Sequence, residues 1–379
     1  MRSGVAVVVG LVALDVIAGC ATRPAGHPAA PVTSAAPAPA PERLVMRLGV
    51  EPKTVDAAAP GGVTIRYELT RPAAVVVDLV DEAGRVVRAL DAGTQPPGVQ
   101  SARWDGRTAE GAPISDGAYR YIIHARDAQG REQVDDPSTT TGGMELTPRD
   151  FSFDRAAGTF RWVMPQAGYA RLRVGIEGFP HLRTLIDWVP LEAGPQMVSW
   201  DGRDASGLVQ LADHPRLTIK LFAFALPDNV VIVRGPAAPA PPEAPPSVAL
   251  TYPPLVWGST AALHAQHPRA TCHESRVRVE FPEGIRQDAD GRPVLAGRVP
   301  VRVVLDPRDA QAVVSARFEV SLYEDLTFLM EEEDGSNPFT YLWDTTTLPP
   351  GPHLFTVNIL SYDDHYGVVT QPVMIERAR

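Results

Sequence analysis

At 379 residues the chain is longer than a single hydrophobic core usually serves, and its 44% apolar content can supply cores for two to four domains. Its 38 prolines and 31 glycines argue against a body of long helices and for turns and linkers. A formal net charge of −10 disfavours nucleic acid as a partner and disfavours a polybasic grip on anionic lipid.

Arg2 leads into an apolar run from Val5 to Ile17, interrupted by Asp15. The run is too short to cross a bilayer, which takes about 20 apolar residues, and has the size of a signal-peptide core. Its end, Ile17-Ala18-Gly19-Cys20, resembles the lipobox of bacterial lipoproteins. The resemblance implies cleavage before Cys20, acylation of that cysteine with fatty acids such as palmitate, and, because Ala21 and not Asp follows, sorting to the outer membrane. The face of that membrane is left open. A signal peptide is therefore expected over 1–19 and a tether over 20–43, where Pro, Ala and Thr offer too little apolar surface to offset the entropy of ordering.

The chain has two cysteines, Cys20 and Cys272. With Cys20 lipidated no intramolecular disulfide can form, so the folds of this exported chain must be stable through their cores. Covalent c-type haem attachment needs Cys-x-x-Cys-His, and Cys272-His273 supplies only its last part.

Beyond the tether the pattern has period two. Val75, Val77 and Leu79 alternate with Val76 and Asp78, Asp81 to Gly84 offers turn chemistry, and Val86-Val87 resume the apolar pattern, which reads as a hairpin. Asp116-Gly117 marks a second tight turn before Tyr119, Tyr121 and Ile123. Between the two, Gly98 leads to Trp104-Asp105-Gly106-Arg107 and Gly111. Gly194 leads at the same spacing to Trp200-Asp201-Gly202-Arg203 and Gly207. This coincidence signals a duplicated module of about a hundred residues. In the second copy Ala170, Leu172, Val174 and Ile176 share a face, and Leu217, Ile219, Leu221 and Ala223 form the last strand.

Tyr67-Glu68-Leu69, Asp78-Leu79-Val80, Gly84-Arg85-Val86-Val87, Trp104 to Arg107 and Gly117-Ala118-Tyr119-Arg120-Tyr121 together resemble the immunoglobulin-like domain of the flagellar hook-capping protein, FlgD. The likeness is close from Val63 to Ala125 and looser from Phe160 to Phe224, where Asp213-His214-Pro215 replaces the Gly-x-Tyr strand opening. It implies β-sandwiches used as spacer, assembly or interaction modules, without catalysis. FlgD-type domains are expected over 44–135 and 145–235. Independently of the resemblance, a tryptophan ending a strand can bury its ring against the facing sheet while Asp-Gly turns the chain and the carboxylate caps backbone N–H groups. Trp104, Asp105, Trp200 and Asp201 are thus expected to be structural anchors, with sugar stacking by a tryptophan as the alternative.

A Pro-rich linker over 236–247 favours an extended spacer. The third module, 248–379, alternates Val299, Val301, Val303 and Leu305, then Ala316, Phe318, Val320 and Leu322. Trp343-Asp344-Thr345 and Gly351-Pro352-His353 resemble the closing half of a bacterial immunoglobulin-like domain, which makes Trp343 and Asp344 the matching anchors. Its extra length holds His264, His267, Cys272 and His273. If Ser259 caps a short helix ended by Pro268, His264 and His267 share one face, and Cys272 and His273 complete an N/S set suited to copper or zinc. Against this, histidines in a proline-bounded loop are usually solvated and a lone cysteine is usually a small buried apolar group. Asp363-Asp364 before Gly367 reads as an exposed turn, with calcium as its alternative, and Glu331 to Asp334 as a solvated loop.

Nucleophile-elbow, phosphate-loop, dinucleotide and His-Glu-x-x-His motifs are absent from the sequence. The resulting expectation is an all-β protein of tandem immunoglobulin-like sandwiches, not an enzyme and without a cofactor. It would be held to the outer membrane through Cys20 and act as a scaffold or interaction module for protein partners of the cell envelope. The alternatives are a metal- or redox-associated accessory protein using the His/Cys loop, and a polysaccharide-binding module.

Overall fold

The structure, a computed structural model, describes residues 6–8, 43–178, 180–236, 273–362 and 365–377. Strand β1 (Ala6–Val8) falls within the stretch expected as signal peptide, and its backbone pairs in parallel with Thr218 to Lys220.

In the first sandwich, one sheet runs β2-β4-β7 through β2 (Val45–Glu51), β4 (Val63–Leu69) and β7 (Gly98–Trp104). The facing sheet contains β3 (Thr54–Asp56), β5 (Ala73–Val80), β6 (Val86–Gln95), β8 (Gly117–Asp127) and β9 (Glu132–Asp135). Period-two patterning sends Val63, Ile65, Tyr67 and Leu69 from one sheet against Val75, Val77, Leu79, Tyr121 and Ile123 from the other. The β5–β6 hairpin closes on Asp81, whose carboxylate accepts from the backbone N–H groups of Ala83 and Arg85 and from the Arg85 guanidinium. The same Asp-x-x-Gly-Arg turn recurs at Asp127–Arg131 and Asp288–Arg292. Each has its glycine at a positive φ, 81°, 76° and 77°, which a β-carbon would disfavour.

The second sandwich faces β10 (Arg149–Asp154), β11 (Thr159–Met164) and β14 (Gly194–Ser199) against β12 (Gly168–Ile176), β13 (His181–Leu191) and β15 (Leu217–Ala225). Strand β12 is buried at every position and not on one face only. Ala170, Leu172, Val174 and Ile176 fill its own core, while Tyr169, Arg171 and Arg173 lie on the opposite face beneath neighbouring sandwiches.

The chain then doubles back. Strand β16 (Val230–Arg234) lies within the bounds expected for the second module, 145–235, beyond the strand expected to be its last, and it joins the first sandwich, antiparallel to β8 and parallel to β3. The reason is that this β-branched run has two apolar faces to bury. Val231 and Val233 enter the first core, and Val230 and Ile232 pack with Ala118, Tyr169, Trp188 and Leu226 between the first two sandwiches.

The third sandwich faces β17 (Val277–Glu280), β19 (Arg298–Leu305) and β22 (Phe339–Asp344) against β18 (Val294–Leu295), β20 (Phe318–Glu324), β21 (Thr327–Glu332), β23 (Gly351–Ser361) and β24 (Tyr366–Ile375). Helix α1 (Pro307–Ser315) interrupts the expected strand alternation. Asp306 caps it through the N–H of Arg308, Pro307 opens it, and Val313 seats it on the core, so Ala316 is its C-cap and the next strand starts only at Phe318.

Candidate functional site

The three predicted tryptophan anchors sit in the cores, Trp104 and Trp343 1% exposed and Trp200 5% exposed. The Asp105 carboxylate accepts the N–H of Arg107 at 3.1 Å, and Arg107 reaches on to the carbonyl of Gly111 at 2.9 Å. Asp201, Arg203 and Gly207 repeat both bonds, at 3.0 and 2.9 Å. In the third sandwich the indole of Trp343 donates to Glu324, and Asp344 caps a single 3-10 turn at Thr346. With their rings enclosed, none of these three offers a stacking face to a sugar.

Cys20, His264, His267, Cys272, Asp363 and Asp364 lie outside the described residues. Of the expected metal cluster only His273 is described. Its Nε2 is 2.9 Å from Asp309, and its ring meets His365 edge-on at 5.9 Å. The Asp309 hydrogen bond, against burial, raises the imidazole above its ordinary range. Among the described residues no group of three or more His, Cys, Asp or Glu is placed to hold a metal ion.

The densest polar arrangement lies where the second sandwich meets the third. Arg171 and Arg173, 0% and 3% exposed, project from β12 away from its own core. A bulge between β12 and β13, with Trp188 at φ 49°, sets Asp187 and Trp188 beside them. Arg171 donates to Asp187 at 2.8 Å and lies 4.4 Å from the centre of the Trp188 ring. The second oxygen of Asp187 accepts the backbone N–H of Glu274, 87 positions on. The guanidinium of Arg173 stands 4.1 Å from the centre of Tyr366 on β24.

His181, at the start of β13, exchanges two hydrogen bonds with the Asn358 side chain, each 3.0 Å, accepts the Tyr366 hydroxyl at 3.2 Å, and approaches Lys220 at 3.1 Å. Burial first, then the cations Lys220, Arg173 and Arg171, holds its imidazole well below the usual range. Burial likewise pushes the Glu274 carboxyl and the Tyr366 phenol upward. These residues act on one another and fix the mutual seating of two sandwiches. The sequence signal for them is slight, two arginines at alternate positions of an otherwise apolar strand, and it names no partner.

Two clefts lie elsewhere on these bodies. One, of about 90 Å³, lies between the first two sandwiches and is lined by Lys53, Gln166, Leu226 and Asp228. The other, of about 330 Å³, lies beside β17 and is lined by Val279, Phe281, Ile285 and Gln371. The second only reaches the lower end of small-molecule pocket sizes.

Residues 53–129 match the FlgD Ig-like domain family. Over 90 residues the chain is 36% identical to the basal-body rod modification protein FlgD of Salmonella typhimurium, covering 24% of this chain and 37% of that one. Against the Escherichia coli protein of the same name it is 27% identical over 113 residues, 30% of this chain and 42% of that one. The chain thus spans well under half the length of these relatives. Among solved structures, FlgD of P. aeruginosa is 24% identical over 21% of this chain and 62% of that chain, with a TM-score of 0.20. The fibronectin(III)-like modules of Clostridium thermocellum CbhA are 10% identical over 88% and 95%, also with a TM-score of 0.20.

Proposed function

We propose that the protein is a lipid-anchored scaffold of the bacterial cell envelope, holding immunoglobulin-like sandwiches away from the outer membrane on a Pro/Ala-rich tether for protein partners to dock on. The observation that carries this reading is the way the folded bodies are fused. Strand β16 belongs by sequence to the end of the second sandwich and by pairing to the first. The Arg171–Asp187–Glu274 and His181–Asn358 contacts tie the second to the third. A chain that couples three sandwiches so closely fixes the spacing and orientation of their surfaces, which is what a docking scaffold needs and what free linkers would not supply. The FlgD-type domain over 53–129 supports an interaction role, and the Ile17-Ala18-Gly19-Cys20 motif supports the anchor.

The anchor is tested by Cys20→Ser. The variant is expected to leave the outer-membrane fraction, either as soluble protein or as uncleaved precursor. A variant still in the outer membrane and resistant to high salt would sink the anchoring claim. The scaffold role is tested by photo-crosslinking from the exposed Met197 in native envelopes. A scaffold gives discrete protein adducts there, and a chain whose only adducts are to itself speaks against it.

A further inference from the structure

All three sandwiches build one sheet in the same order. The second strand of a hairpin is followed by the first, and then by a long strand: β6-β5-β8, β13-β12-β15 and β21-β20-β23. What covers the outer edge of the long strand differs. Strand β23 is covered by β24 along its length, from Gly351 to Leu360. Strand β8 is covered by β16 over residues 117–120 and by β9 over 123–126. On β15, residues 143–146 cover only the end, with Leu146 N–H donating to Ala223 and Ala225 N–H to Met144. Among the described residues, the stretch from Thr218 to Lys220 is met on that edge by β1 alone.

Strand β1 lies inside the leader that the proposed function removes. We propose that in the mature protein the outer edge of β15 at Thr218–Leu221 is a strand-acceptor site for an extended segment of a partner protein. That segment would be rich in β-branched residues, of the Val-Val-Ile-Val-Arg kind that the equivalent edge of the first sandwich takes from 230–234. The proposal rests on the reading of residues 1–19 as a cleaved leader.

An edge strand offers a row of main-chain donors and acceptors to any chain able to lie extended beside it. Proteins usually blunt such edges with proline, charge or short length. Strand β15 is nine residues long, has no proline, and carries Lys220 as its one charge, drawn toward His181 at 3.1 Å. The occupied edge of β8 defines what fits. Alternate side chains of β16, Val231 and Val233, reach into the sandwich core, and the others pack on the neighbouring body. β-branched residues suit both faces and hold the extended form.

The test uses protein purified from membranes, with its mass reporting whether residues 1–19 are gone, and follows amide hydrogen exchange across 217–222. The probe is the synthetic peptide Lys-Lys-Val-Val-Ile-Val-Arg-Lys. Fast exchange is expected without peptide and slowing of at least about tenfold with it, while residues 351–360, already covered, stay unchanged. A peptide with proline at the second and fourth apolar positions should have no effect. Uncleaved Cys20→Ser precursor should be slow from the start. Cleaved protein that exchanges slowly at 217–222 without peptide, or is unaffected by saturating peptide, overturns the acceptor site. Protection that grows with protein concentration alone replaces the partner by a second copy and overturns the assignment. A mass that still includes residues 1–19 overturns the leader reading instead.

Discussion

Trp104 and Trp200 make the same hydrogen bond in two different cores: each indole N–H donates to the carbonyl three residues ahead, Arg107 at 3.0 Å and Arg203 at 2.8 Å. The bond explains why the tetrad recurs intact. The indole both fills the core and clamps the turn that follows, and Asp-Gly-Arg shapes that turn so that the carbonyl points back at the ring. Trp104→Ala or Trp200→Ala is expected to cost roughly 3–5 kcal/mol, and Trp→Phe at either site to lose less, since the ring remains and only a bond of about 1 kcal/mol is removed. Denaturant unfolding read by exchange within each sandwich checks this. An alanine variant with an unchanged transition would refute the anchoring role.

Each tryptophan also has a glycine pressed against its carbonyl. A β-carbon at Gly62 would come within 2.5 Å of the Trp104 oxygen, and one at Gly158 within 2.4 Å of the Trp200 oxygen. Both glycines have positive φ, so an alanine meets backbone strain as well as collision. Gly62→Ala and Gly158→Ala should each destabilise by about 1–3 kcal/mol. Gly84, with open space around its missing side chain, meets only the unfavourable φ and should cost less on the same denaturant curves.

Much of this architecture can be read in the chain because period-two alternation directly encodes which face is buried. Val75, Val77, Leu79 and Tyr121 announce their strands, and the repeated tetrad announces the duplication. The pattern cannot say which body a strand joins. Val230 to Val233 is apolar on both faces and adjoins the second sandwich in sequence, yet it completes the first, because pairing partners more than a hundred positions away, Gly117 to Arg120, leave no local mark. The junction was hidden for a similar reason. Arg171 and Arg173 look like solvent-facing positions of an amphipathic strand until another sandwich covers them. Helix α1 shows in the sequence only as Asp306-Pro307 ahead of Arg308 to Ala312, a short start signal between the two alternating runs that end at Leu305 and resume at Phe318.

If β16 is integral to the first sandwich, a change near the end of the second must be felt in the first. Val231 is fully buried in that core. Val231→Asp should destabilise the first sandwich by roughly 3–5 kcal/mol, the cost of an uncompensated buried charge, and speed exchange at 117–120. The third sandwich should unfold as before. Faster exchange confined to β12 and β15 would mean that the strand pairs with the second sandwich instead.

The Arg171–Asp187 pair separates orientation from stability. Arg171 is fully enclosed, so Asp187→Leu removes the carboxylate that it bonds at 2.8 Å while its other contacts, the Trp188 face among them, remain, and should cost roughly 2–3 kcal/mol, the range for a hydrogen bond to a charged group. Arg171→Met with Asp187→Leu restores an uncharged contact and should recover most of it. Removal of Asp187 also frees the Glu274 N–H, so the double variant should still show faster exchange at residues 273–276. Equal losses in the single and double variants would show that the charges themselves hold the junction.

Proton binding should pull the two junction histidines in opposite directions. Burial and the neighbouring Lys220, Arg173 and Arg171 lower the folded value of His181 from 6.5. Below that pH the unfolded chain binds a proton that the folded chain refuses, so the stability due to neutral His181 is complete above about pH 6.5 and lost as pH falls through the lower folded value. For His273 the Asp309 hydrogen bond raises the folded value from 6.5. Its contribution is complete below about pH 6.5 and lost as pH rises through that higher value. Glu274, raised by burial from 4.5, loses stability with rising pH in part of the window where His181 gains it. The parent protein's slope is therefore a sum, and the readout is the difference between variant and parent in denaturant midpoint from pH 5 to 9. His181→Gln should flatten the decline on the acid side and His273→Gln the decline on the alkaline side. Variants that change both sides alike would mean that lost packing, and not the proton, sets the effect.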